Sequence, residues 1–152
     1  MPPAAHVLPP IIIAGLLLRL LCAAAAGGVI GWNRHRAGKP AGIGTHALVA
    51  LGAGLFVSIP AGFGADHIDA LSRAIQGVAA GLGFLGAGEI FRDPGSGSRV
   101  TGLTSAAALW VTGALGIAIV SGPVLQSVGV TALVLAILEL APRLEGRLPR
   151  QG

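Results

Sequence analysis

Five apolar stretches, at about 11–32, 44–60, 73–91, 103–121 and 124–141, alternate with short polar segments along 152 residues. Each is near the length of an α-helix that crosses about 30 Å of hydrocarbon at 1.5 Å per residue. Five helices so poor in polar residues would leave a water-soluble bundle almost no wettable face. In lipid the same runs are self-sufficient, because a helix satisfies its own backbone hydrogen bonds. The reading is an all-α integral membrane protein of about five transmembrane helices, with the lipid bilayer as its solvent. Composition agrees: 53% of residues are hydrophobic and 11% charged, with mean hydropathy +0.81, whereas soluble domains run near a quarter charged.

The segments between the runs set the orientation. Residues 1–10, MPPAAHVLPP, form a lead-in with no Lys or Arg, so they lack the positive start of a secretory signal. Every Lys and Arg except Arg19 and Arg73 falls in the 33–43 loop, the 92–101 loop or the basic tail at 143–152. The 61–72 segment instead carries Asp66 and Asp69, and the 121–123 turn is uncharged. Positive loops stay in the cytoplasm, which puts the N-terminus outside and the C-terminus cytoplasmic. Pro142 is expected to stop the fifth run. The net charge of +4 would suit a phosphate backbone. The cations nevertheless come in short clusters without interleaved aromatics, and no nucleic-acid partner is expected.

The stretch 73–110 is expected to organise the bundle, as an apolar glycine-rich segment, a polar turn and a second apolar segment. Gly77 and Gly81 make a small-xxx-small pair that Gly88 continues, a face on which another helix could pack closely. Gly27 and Gly31 repeat the spacing on the first run. Gly81, Gly83 and Gly86 also fit the dinucleotide-binding pattern, but they lie inside an apolar run with no strand before them.

Arg19 interrupts the first run. A charge at that depth is costly unless it faces the bundle interior or a partner. Asp66, Asp69 and Gln76 are the candidates on the outer side. Glu89 and Glu139 lie toward the cytoplasmic ends of their runs, and Arg92, one turn after Glu89, is placed to pair with it. His46 stands near the start of the second run, either as a proton-sensitive site or as a plain hydrogen-bonding group. Cys22, the single cysteine, implies neither a disulfide nor a zinc site. No catalytic constellation, metal set or cofactor motif is present, so the chain is not expected to be an enzyme.

Three long motifs carry a family resemblance. GWNRHRAGKPAGIGTHALVALGAGLF (31–56), AIQGVAAGLGFLGAGEIFR (74–92) and VTGLTSAAALWVTGALGIAIVSG (100–122), with LLLRLLCAAAAGGVIG at 16–31, resemble the membrane domain of the MgtC/SapB family. The resemblance implies a bacterial inner-membrane, multi-pass protein linked to magnesium homeostasis and to survival at low magnesium or inside macrophages. It places characteristic polar positions at Arg19, Arg34, Thr45, His46, Asp66, Gln76, Arg92 and Thr104. Asn33 stands where the family commonly has an acid, Glu89 where it has an apolar or small residue, and the ACT-like C-terminal domain of longer members is not in this sequence.

The expectation is therefore a bundle packed around its third helix, with Arg19, Asp66 and Gln76 forming an intramembrane polar cluster. Arg34, Thr45, His46, Glu89, Arg92 and Thr104 form a set at the cytoplasmic side. The expected role is regulatory, through a membrane-protein partner or a homo-oligomer. The competing reading is an ion or solute transporter whose path the Arg19/Asp66/Gln76 cluster lines.

Overall fold

A computed structural model describes residues 9–60, 67–92 and 100–147, with the backbone alone at His67, Phe91 and Arg92. The fold is all-α and of membrane type. Five helices stand where the apolar runs lie: α1 (Pro10–Arg36), α2 (Ile43–Ser58), α3 (His67–Glu89), α4 (Leu103–Ser121) and α5 (Val124–Glu145). Among the described residues α1, α4 and α5 are long and apolar enough to cross a membrane. α2 has 16 residues, a rise of roughly 24 Å, and α3 carries Asp69, Arg73 and Gln76 in its first half.

Local chemistry sets the helix ends. Pro10 takes the first position of α1, where its missing N–H costs nothing. The last turn of α1 holds Arg34, His35 and Arg36, cations that suit the negative end of the helix dipole. Apolarity therefore fades before the helix does. Pro142 lies inside α5 rather than ending it. A proline removes one N–H and crowds one carbonyl, and so near the C-terminus the following turn still closes, with Gly146 N–H donating to the Pro142 carbonyl at 3.0 Å.

Between α3 and α4 the chain forms two short antiparallel strands, β1 (Phe91–Arg92) and β2 (Val100–Thr101), with Phe91 opposite Thr101. Gly102 then turns into α4 at φ +92°, where a Cβ would collide with the Glu89 carbonyl. Only glycine fits that left-handed, crowded turn.

The centre of the bundle is α1, α2 and α4, not α3. Ala23 and Ile30 of α1, Ala50 of α2, Leu115 and Ile119 of α4 and Val134 of α5 make the core. Small residues let these backbones touch. A Cβ on Gly31 would lie 2.6 Å from both the Gly42 oxygen and the Ile43 Cα, and one on Gly27 would lie 2.9 Å from Ala50 Cβ. Gly116 of α4 presses on the Ala50 backbone, and Gly54 meets Val120. α3 leans on α4 through Leu82 against Gly113 and Gly86 against Ala106. It meets α2 only sparsely. Gly77, Gly81 and Gly88 face open space, with nothing within 4 Å of an added Cβ. The face expected to seat another helix is therefore unfilled among the described residues. α5 lies on the outside, against α1 and α4.

Candidate functional site

Four helix ends meet where α1 and α3 finish and α2 and α4 begin. Each delivers one polar group: Arg34 from α1, His46 from α2, Glu89 from α3 and Ser105 from α4. Arg34 is 3% exposed and His46 fully buried. Arg34 Nη2 donates to Ser105 Oγ at 3.3 Å, a long bond that joins the start of α4 to the end of α1. His46 Nδ1 lies 3.0 Å from the Gly42 carbonyl. A carbonyl only accepts, so Nδ1 carries a proton, and in the neutral ring Nε2 presents a lone pair. Glu89, at the end of α3, is near enough for its charge to be felt at both Arg34 and His46, without forming an ion pair with Arg34.

Two atoms in this cluster are buried without a hydrogen-bond partner among the described residues, Arg34 Nε and His46 Nε2. Their needs are opposite: one offers a proton and the other accepts one. An unpaired buried polar group costs about 1–3 kcal/mol, so the cluster is polar machinery held at a cost in stability. Chemically it can hold a charge and exchange hydrogen bonds.

The expected cytoplasmic-side set is thus partly assembled, with Arg34, His46 and Glu89 brought together. Thr45 and Thr104 are exposed, and the Arg92 side chain lies outside the described residues. Ser105 was not among the expected positions. Its sequence signal is a small hydroxyl, next to that of Thr104, in the first turn of a mostly apolar helix.

The expected outer cluster resolves differently. Arg19 Nη1 lies 2.9, 3.2 and 2.6 Å from the carbonyls of Ile119, Val120 and Gly122. These are the orphan acceptors at the C-terminus of α4, where the helix dipole is negative. Gln76 is exposed and donates to Ser72 Oγ at 3.4 Å, one turn away on its own helix. Asp66 lies outside the described residues. Arg19 and Gln76 therefore take separate partners.

A further contact escaped the sequence reading. Asn33 Nδ2 donates to Glu139 Oε1 at 2.8 Å, and Arg143 pairs with Glu139 Oε2 at 2.9 Å. The carboxylate that the family resemblance placed at position 33 is supplied here to Asn33 from α5.

The MgtC family model matches residues 20–147. Protein SrpB of Synechococcus elongatus is 52% identical over 71% of the chain and 64% of its own length. The putative magnesium transporter YhiD of Escherichia coli is 38% identical over 89% of the chain and 64% of its own length. Protein MgtC of Brucella abortus is 35% identical over 73% of the chain and 44% of its own length. The chain thus spans less than two thirds of the length of these relatives. No solved structure matches it.

Proposed function

The chain belongs to the MgtC family, and from that premise we propose a regulatory role in magnesium or ion homeostasis. In this reading it is a multi-pass protein of the bacterial inner membrane, N-terminus outside, and not an enzyme. It acts by associating with a membrane-protein partner or with its own copies, and its loss tells under magnesium limitation or intracellular stress.

The observation that carries the choice of regulation over transport is Arg19. A guanidinium bound to three carbonyls at one helix end joins α1 to α4, which supports a structural role for it over one lining a path. The transport reading draws its support from the name of the Escherichia coli relative.

Proteoliposomes loaded with a magnesium indicator separate the two. The expected result is influx equal to that of empty liposomes, with a stoichiometric membrane partner or second copy crosslinked to the chain in native membranes. Influx well above the empty control, lost on Arg34→Met or Arg19→Ala while the protein stays folded, would overturn the regulatory reading.

A further inference from the structure

We propose that the apolar groove between α2 and α3 holds one acyl chain of an anionic phospholipid, whose headgroup sits at the basic α1–α2 loop. The inference rests on the membrane reading of the fold and adds a ligand to it.

The groove has a volume of about 770 Å³, with Leu48, Gly52 and Phe56 on the α2 wall and Gly77, Gly81 and Leu85 on the α3 wall. Its width comes from the glycines: a Cβ at Gly52, Gly77 or Gly81 would meet nothing within 4 Å. Its length identifies the occupant. The lining runs from Thr45 to Phe56 and from Ala74 to Leu85, about 16 Å on either helix at 1.5 Å per residue. That is roughly half of the 30 Å hydrocarbon core, the depth of one leaflet. A partner's spanning helix needs the full thickness and would overhang the groove by half its length. A single lipid chain from one leaflet fits it end to end.

Charge decides which end takes the headgroup. The Thr45 end lies at the start of α2, directly after Arg36 at the end of α1 and Lys39 in the loop that follows. Both side chains are exposed, and no salt bridge among the described residues engages either. Of the described acids toward that side, Glu139 pairs with Arg143, and Glu89 is near enough for its charge to be felt at Arg34 and His46. The opposite end, near Ala74, has Asp69 beside Arg73, so its charges offset. Cations at the membrane surface attract anionic headgroups by a few-fold each, so two of them give a preference on the order of tenfold over a zwitterionic lipid.

Native mass spectrometry of the full chain in detergent, titrated with phosphatidylglycerol or phosphatidylcholine, tests this. The expected result is one retained phosphatidylglycerol, bound about tenfold more tightly than phosphatidylcholine. Gly77→Leu/Gly81→Leu builds into the groove from positions where a Cβ meets nothing within 4 Å, and should abolish retention of either lipid while leaving the melting temperature at or above the parent's. Arg36→Gln/Lys39→Gln should keep binding but remove the headgroup preference. Equal retention by the groove-filled variant overturns the proposal. So does conversion of a dimer to a monomer by that variant, which would make the groove a helix–helix interface. Extraction of the chain from membranes by alkaline carbonate would refute the membrane reading itself. A chain that resists extraction yet shows no lipid preference refutes the groove assignment alone.

Discussion

Gly31→Ala is the most informative single change, because it sets backbone against backbone. The added carbon would stand 2.6 Å from the Gly42 oxygen and the Ile43 Cα, where ordinary contact begins at 3.4 Å. Neither atom can rotate away, so α1 and α2 must part by roughly 0.8 Å at the crossing, a gap that forfeits a quarter to a half of each dispersion contact along it. Overpacking of this kind costs about 1–3 kcal/mol. It is offset by under 1 kcal/mol of improved helix propensity. Gly81→Ala is the control: with nothing within 4 Å, only the propensity gain remains. Thermal unfolding in detergent, followed by circular dichroism, should rank Gly81→Ala at or above the parent and Gly31→Ala clearly below it. Equal midpoints for the two variants would refute the packing argument, since glycine's conformational cost alone predicts the same gain at both sites.

Arg19→Met should lower stability by about 1–2 kcal/mol, because the carbonyls of α4 lose a charge-assisted partner; urea titration in micelles reads the loss, and Arg19→Lys should recover part of it. Arg34→Met removes the bond to Ser105 Oγ, so a double-mutant cycle with Ser105→Ala should give a coupling of about 0.5 kcal/mol or more; additivity would mean that this bond does not join α1 to α4. Gly102→Ala places a Cβ on the Glu89 carbonyl at φ +92° and should cost about 1–3 kcal/mol, seen as a lowered melting midpoint. Glu139→Gln, by contrast, breaks a pair whose side chains are 69% and 47% exposed, and unfolding measurements should move by under about 1 kcal/mol.

The helices were legible because hydrocarbon thickness and apolar run length are the same constraint stated twice. Their ends were less so: α1 continues through Asn33–Arg36, four polar residues that a helix terminus tolerates and a hydropathy reading discards. Glycine spacing could not say which pair is used. Gly27/Gly31 and Gly77/Gly81 look alike along the chain, but only the first pair faces a matching small surface, at Gly42 and Ala50. That surface belongs to another helix, and spacing does not reveal it. The partners of Arg19 were hidden for a different reason. A search for acids misses backbone carbonyls, which every residue carries and only a helix end leaves free. The Arg34, His46 and Glu89 positions could be named singly, but their meeting depends on four helix ends converging.

Arg19 and Arg34 lie fifteen positions apart on α1, and they fasten opposite extremities of α4, one at its final carbonyls and the other at Ser105. A rod pinned at two points can neither slide lengthwise nor spin against its neighbour without releasing both pins. The α1–α4 pair is therefore a splint, held at both ends of α4.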